Sequence, residues 1–149
     1  MPGPTSSTPT LERFEYPHLL VKDYEHWCVT LRRHQVTLGA LVLIAKSDAT
    51  AWSELPKDAF TELHLVTSAI ERTLGGAFAY DKINYLMLMM VDPNVHFHVL
   101  PRYERALAFE SQDFADAGWP KTPDLGSGPK LDDEMAKKLI AHLQASWQD

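Results

Sequence analysis

Cysteine is nearly absent from this chain, which has Cys28 as its one cysteine among 149 residues. Neither an intrachain disulfide nor a zinc site built on several cysteines can therefore form. Long apolar runs are missing as well: no apolar stretch approaches the ~20 residues of a membrane-spanning helix. The first ten residues, MPGPTSSTPT, lack the basic and apolar segments of a secretory signal peptide. These absences predict a cytoplasmic protein that does not enter a membrane.

Positive charge is also in short supply. The chain has 14 Lys and Arg against 20 Asp and Glu, for a formal net charge of −6. Proteins that bind polymeric nucleic acid usually show the opposite balance and a basic stripe, so we expect no such partner. A small anionic ligand is compatible with this charge, because local donors rather than net charge hold a phosphate.

The apolar pattern predicts a single α+β domain over residues 14–149, preceded by an arm at residues 1–13 whose Pro, Ser and Thr content predicts disorder. A helix that begins after Pro56 should stop at Gly75 and Gly76. Residues 106–149 should form an irregular segment followed by a C-terminal helix from residue 131. We expect an antiparallel sheet of about five strands, with strands at residues 19–21, 27–29, 38–45, 83–91 and 95–100.

Two histidines alternate with apolar residues in the last of these strands. The segment reads DPNVHFHVLPR over residues 92–102, and a two-residue connection at Asp92 and Pro93 predicts a tight hairpin with the preceding strand. Because strand side chains alternate between faces, Asn94, His96 and His98 should share one face. We expect both imidazoles to be open to solvent on this face, an arrangement with few purely structural uses.

This segment resembles the signature of the histidine triad family, in which three histidines alternate with apolar residues. Its end, HVLPR, is most similar to the fragile histidine triad branch, which acts on dinucleoside polyphosphates. The order of strands and helix over residues 19–102 is also similar to that of the family. The resemblance implies that His96 is the nucleophile, which attacks the α-phosphorus and forms a nucleotidyl-histidine intermediate. It implies that His98 is the second catalytic residue and binds the phosphoryl oxygens.

The resemblance also implies a substrate and a partner. The expected function is a nucleotide phosphoryl hydrolase or transferase that acts on dinucleoside polyphosphates or nucleoside phosphoramidates, in a homodimer. No resident metal or other cofactor is implied, although a divalent metal could accompany the substrate. Asn94 at the first triad position, Asp92 and Arg102 are the candidate substrate-binding residues, with an ion pair as the other role for Arg102.

Two other functions fit the same residues. Asn94 and Ala40 stand where many family members have histidine, which suits a nucleotide-binding protein with little turnover. Alternatively, the His-x-His strand could supply two ligands of a metal site, with a third ligand from His26, His34 or His64. The basic run at residues 32–34 is expected to be a solvated surface rather than a phosphate site.

Overall fold

The computed structural model describes residues 7–149 and contains the predicted five-stranded antiparallel sheet. Its strands are β1 (Leu20–Asp23), β2 (Trp27–Leu31), β3 (Leu41–Ala45), β4 (Lys82–Leu86) and β5 (His96–Arg102). They lie in the order β1-β2-β3-β5-β4, and every neighbouring pair is antiparallel. The α+β class is therefore confirmed, and the candidate strand β5 lies inside the sheet rather than at its edge.

Two helices pack on one face of this sheet. Helix α2 spans Lys57–Phe78, and helix α3 spans Asp133–Ser146. Asp132 caps α3, because its side chain accepts a hydrogen bond from the backbone N–H of Met135 at 2.8 Å. Apolar residues of the sheet and of both helices form the main core, among them Trp27, Val29, Leu43, Val99, Ile70, Leu74, Leu139 and Leu143.

The other face of the sheet is covered by chain that precedes β1. A short helix, α1 (Pro9–Arg13), places fully buried Leu11 against Cys28, Val42 and Ile44. Prediction of a disordered arm is thus wrong for Pro9–Arg13, while residues 1–6 of that arm lie outside the described residues. Thr8 caps α1 by accepting from the backbone N–H of Leu11 at 3.2 Å. The same Thr and Pro residues that suggested disorder are also favoured at helix starts.

Helix α2 continues past the two glycines that were expected to end it. Leu74 and Phe78 extend its apolar stripe into the core, and the helix is capped by Ala79, which has a left-handed φ of 49°. Burial of Phe78 therefore outweighs the low helix propensity of two glycines in the last turn. The Phe78 ring also packs against Gly39, where φ is +90° and an added Cβ would lie 3.1 Å from the ring.

The connection between β4 and β5 is longer than the predicted two-residue hairpin. β4 ends at Leu86, and the residues before β5 hydrogen-bond elsewhere: the N–H of Val95 donates to the carbonyl of Ala49 at 3.1 Å. The predicted strand over residues 83–91 is therefore too long. β5 itself runs through Pro101, which had been expected to end it. The pairing with β3 stops at Val99, so no N–H is needed on that side of Pro101.

A small hairpin, β6 (Leu107–Phe109) and β7 (Gln112–Phe114), lies within the segment that was expected to be irregular. Its turn residues Glu110 and Ser111 both have a positive φ, of 51° and 64°. Such turns favour Gly, Asn or Asp, so this sequence carries no local signal for the hairpin. Within residues 7–149, no helix is long and apolar enough to cross a membrane. The cytoplasmic location stays a prediction.

Candidate active site

Strand β5 places the two motif histidines side by side on the face opposite the main core. His96 lies opposite Ile44 and His98 lies opposite Val42 on β3. Their ring centroids are 5.2 Å apart, with the ring planes at 83°. The side chains of Phe97 and Val99 belong to the main core on the other face. This is the alternation expected of a strand, and it brings His96 and His98 together as predicted.

The His96 ring is oriented by the backbone two residues earlier. Its Nδ1 lies 2.7 Å from the carbonyl oxygen of Asn94. A carbonyl oxygen only accepts hydrogen bonds, so the ring proton of neutral His96 is on Nδ1 and the lone pair is on Nε2. Nε2 is buried and has no hydrogen-bond partner in the described part of the chain. Its lone pair is therefore not used by any internal contact.

His96 is not open to solvent, and the expectation of an exposed imidazole is wrong. Its relative exposure is 0%. The ring of Phe14, just after α1, packs against both histidines, with centroid distances of 5.6 Å to His96 and 5.5 Å to His98 and ring planes at 40° and 80°. The reason is the fold of the N-terminal segment, which sequence analysis had assigned partly to a disordered arm. Phe14 is therefore part of the cover over His96.

His98 is held in its neutral form. The Nε–H of Arg32 donates to Nδ1 of His98 at 3.3 Å, so the ring proton is on Nε2. Burial lowers the pKa of His98 to about 4, and the positive charges of Arg32 and Arg13 act in the same direction. At neutral pH this ring therefore offers an uncharged N–H donor beside the lone pair of His96.

Arg32 is a site residue that sequence analysis missed. It was expected to be part of a solvated basic run, but it is half-buried and contacts His98 directly. Its Nη1 also donates to the carbonyl oxygen of His34 at 2.7 Å. The sequence feature that could have indicated Arg32 is its position directly after the buried strand β2, because residues that follow a strand often carry function.

Asn94 and Asp92 contact the N-terminal segment instead of facing open space. The side-chain oxygen of Asn94 accepts from the N–H of Thr10 at 3.3 Å, and its amide nitrogen donates to the carbonyl of Asp48 at 3.1 Å. The backbone N–H of Asn94 donates to the hydroxyl of Thr10 at 2.9 Å. Asp92 lies 3.7 Å from Nε of Arg13. Both predicted substrate contacts therefore fasten α1 over the histidine face in this conformation.

Arg102 uses four of its five N–H donors in internal contacts, and its assignment to substrate binding stays a prediction. Its guanidinium forms two hydrogen bonds to the carboxylate of Asp116, at 2.6 and 3.0 Å. It also donates to the side chain of Asn84 at 2.8 Å and to the carbonyl of Lys121 at 2.9 Å. The residue is 4% exposed. The buried ion pair, which was the alternative for this residue, joins β5 to the C-terminal segment.

In the part of the chain that the structure describes, no third ligand atom completes a metal site at the two histidines. Within residues 7–149, the one trio with ligand atoms close enough for a metal is Glu25, His26 and Glu62, away from His96 and His98. His34, another candidate ligand, has its Nε2 3.0 Å from the carbonyl oxygen of Gly128. The metal-binding interpretation of the His-x-His strand therefore lacks the ligand set that it needs.

The family model of the HIT domain matches residues 13–105, which is more than half of the chain and contains the histidine pair. The chain belongs to the HIT domain family. Members of this family are generally nucleotide hydrolases or transferases. No curated protein matches the sequence at a significant level.

Solved structures share the HIT fold. A histidine triad protein from Sinorhizobium meliloti 1021 has 20% identity and a TM-score of 0.74, over 95% of this chain and 96% of that chain. A histidine triad protein from Bradyrhizobium japonicum has 19% identity and a TM-score of 0.71, over 96% and 98%. A hypothetical histidine triad nucleotide-binding protein from Sulfolobus tokodaii has 20% identity and a TM-score of 0.66, over 92% and 88%. These similarities do not single out the fragile histidine triad branch, which stays a prediction.

The low pKa of His98 leads to a prediction about acid stability in this HIT protein. The pKa of His98 in the folded state is about 4, below the ordinary 6.5, so the unfolded chain takes up the proton first as pH falls. The folded state therefore loses stability between pH 6.5 and 4, by roughly 2 kcal/mol for this residue. Urea unfolding at pH 7 and pH 4.5 should show a smaller loss in His98→Asn than in the unsubstituted protein. Carboxylates contribute equally to both chains, so an identical loss would contradict the assignment.

Proposed function

We propose that this protein is a nucleotide phosphoryl hydrolase or nucleotidyl transferase that acts through a covalent intermediate on His96. The hydrogen bond between Nδ1 of His96 and the carbonyl of Asn94 carries the proposal, because it leaves the lone pair on Nε2. A buried ring nitrogen without a hydrogen-bond partner is costly, and a reacting phosphorus would use its lone pair. Dinucleoside polyphosphates and nucleoside phosphoramidates are the candidate substrates, from the family resemblance.

The reaction has two steps. Nε2 of His96 forms a bond to the α-phosphorus while the bond from phosphorus to the leaving group breaks, and the leaving group departs with the electron pair. Water then attacks the same phosphorus and loses a proton to solvent, which releases the nucleotide and restores the imidazole. An acceptor other than water would make the enzyme a transferase.

His98 has the properties of a donor to the phosphoryl oxygens. Its ring is neutral at neutral pH, and its Nδ1 already accepts from Arg32, so Nε2 carries the proton. Such a preorganised donor stabilises charge that develops on phosphoryl oxygens. A divalent cation that enters with the substrate phosphates stays a prediction from the resemblance.

Access to His96 depends on the N-terminal segment. The hydrogen bonds between Thr10 and Asn94, the contact between Arg13 and Asp92, and burial of Leu11 hold this segment on the sheet. We propose that Phe14 moves away from the histidines when substrate binds. The closed arrangement also favours a second function, a nucleotide-binding protein with little turnover, if that movement is too rare.

We also propose a homodimer joined along the free edge of β4. β4 pairs with β5 on one side and has no neighbouring strand on the other in the described sheet. The residues that follow it are apolar and exposed: Leu88 by 47%, Met90 by 87% and Val91 by 89%. An unpaired edge beside exposed apolar residues is suited to contact with a second chain.

Replacement of the nucleophile should separate catalysis from binding. We expect His96→Ala to lower turnover by on the order of 10³-fold or more, with nucleotide binding still measurable by calorimetry. His64→Ala, on helix α2, is the matched control and should retain activity. In the unsubstituted protein, quenching in alkali and mass spectrometry should find a nucleotide on His96, because acid hydrolyses a phosphorus–nitrogen bond. Undiminished turnover in His96→Ala would contradict the enzymatic proposal; binding without adduct or turnover would favour the second function.

Removal of the aromatic cover should expose the nucleophile. We expect Phe14→Ala to raise the rate of His96 modification by diethyl pyrocarbonate about tenfold or more, since the ring that lies over it is gone. Peptide mass spectrometry assigns the modified histidine. Phe60→Ala is the matched control, because Phe60 packs beside Trp52 on the main-core side of the sheet. Equal rates in Phe14→Ala and the unsubstituted chain would show that Phe14 does not limit access.

The proposed dimer can be tested by light scattering. The unsubstituted protein should have a mass of two 16.9 kDa chains. Met90→Glu combined with Val91→Glu should shift it towards one chain, because charge at a buried contact is costly. Leu65→Glu, at another exposed apolar position, should leave the mass unchanged. A single-chain mass for the unsubstituted protein would overturn the dimer.

A further inference from the structure

A cavity of about 450 Å³ lies next to the histidine pair, between the end of α1 and the residues that follow β2. Phe14 lines this cavity and also covers both histidine rings. Arg32 lines it too and donates to His98. Phe14 and Arg32 therefore belong both to the lining of the cavity and to the surroundings of the histidine pair. Its charged and titratable lining residues are mostly basic, namely Arg13, Arg32, Arg33, His34 and Lys130, with Glu15 as the acid.

Of the four Arg and Lys side chains in this lining, Arg13 and Arg33 are paired with carboxylates in the described chain, and the other two are not. Arg33 forms two hydrogen bonds to Glu15, at 2.7 and 2.8 Å, and one to Asp133 at 2.8 Å. Arg13 lies near Asp92, as described above. Within residues 7–149, neither Arg32 nor Lys130 has a carboxylate within 4.0 Å. The cavity thus presents two uncompensated positive charges in a chain whose net charge is −6.

The environment of Arg32 is unfavourable for a cation without an anion. Its side chain is half-buried, and burial together with the charge of Arg13 lowers its pKa. Its hydrogen bonds go to Nδ1 of His98 and to the carbonyl of His34, both uncharged acceptors. Burying an unpaired charge costs free energy, whereas a bound phosphate would supply the missing negative charge and strong acceptors.

We infer that this cavity is an anion subsite in which Arg32 and Lys130 hold the phosphate chain of a leaving group. The inference rests on the proposed function and narrows it. When Nε2 of His96 bonds to the α-phosphorus, a polyphosphate leaving group departs with the electron pair as an anion, whose charge Arg32 and Lys130 offset. A phosphoramidate releases an amine, which must gain a proton and has no negative charge for these groups to bind. The subsite therefore favours substrates with a phosphate chain over substrates with an amine leaving group.

Binding of inorganic triphosphate tests the subsite without any turnover. We expect calorimetry on the full chain to detect binding that weakens with salt, and Lys130→Glu to weaken it about tenfold or more. Lys130 is the chosen position because, unlike Arg32, it has no hydrogen bond to His96 or His98 in the described chain. Lys137→Glu makes the same charge change at an exposed position on α3, outside the cavity, and should retain most of the affinity.

Absence of triphosphate binding, or equal affinity in Lys130→Glu and Lys137→Glu, would overturn the subsite. Neither result depends on catalysis, so failure of the subsite is distinguishable from failure of the His96 mechanism. A second measurement compares kcat/KM of Lys130→Gln for a dinucleoside polyphosphate and for a nucleoside phosphoramidate. We expect about a tenfold loss for the former and little change for the latter. Equal losses for both substrates would contradict the leaving-group role.

Discussion

β5 lies between β3 and β4, and its backbone hydrogen bonds to both neighbours hold alternate side chains on opposite faces of the sheet. Phe97 and Val99 are thereby committed to the main core, and His96 and His98 must lie on the other face. Because β5 is an inner strand, the two imidazoles cannot swing past a sheet edge. The distance between the two rings and the hydrogen bond from His96 to the carbonyl of Asn94 both follow from the backbone of β5 and the residues just before it.

The histidine face is closed by the part of the chain that comes before β1. Leu11 and Phe14 supply apolar cover. Asn94 accepts a hydrogen bond from the backbone N–H of Thr10 and donates one to the Thr10 hydroxyl. This cover leaves Nε2 of His96 buried without a partner, a cost of about 1–3 kcal/mol. The unpaired Nε2 of His96 therefore destabilises the closed arrangement that buries it. Such opposition is compatible with the proposed role of His96 as a nucleophile that a substrate must reach.

Two arginines show how similar positions at strand ends lead to different roles. Arg102 ends β5 and meets the buried carboxylate of Asp116, which satisfies its charge. Arg32 follows β2 and meets His98 and a carbonyl, which leave its charge uncompensated. Both residues sit at strand ends, and their side-chain partners lie 14 residues away for Arg102 and 66 residues away for Arg32. A buried pair is a structural contact, whereas a cation that lines a cavity without an acid is suited to a ligand.

Much of this protein follows from local sequence. The five strands, the helix after Pro56, the C-terminal helix and the shared face of His96 and His98 depend on periodicity, which short stretches of chain express. Errors arose where a distant contact outweighs a local preference. Burial of Phe78 carries α2 past its glycines, and the hydrogen bonds of residues 94 and 95 replace the tight hairpin.

By itself, the sequence determined that an antiparallel sheet would present two histidines together and that the chain would be a HIT protein. Only the tertiary structure decided whether those histidines are open, which arginine is satisfied and where uncompensated charge collects. The physical reason is that the alternation of a strand is encoded within a few residues. Burial and charge pairing instead depend on which remote segment, such as the one carrying Phe14, packs against it.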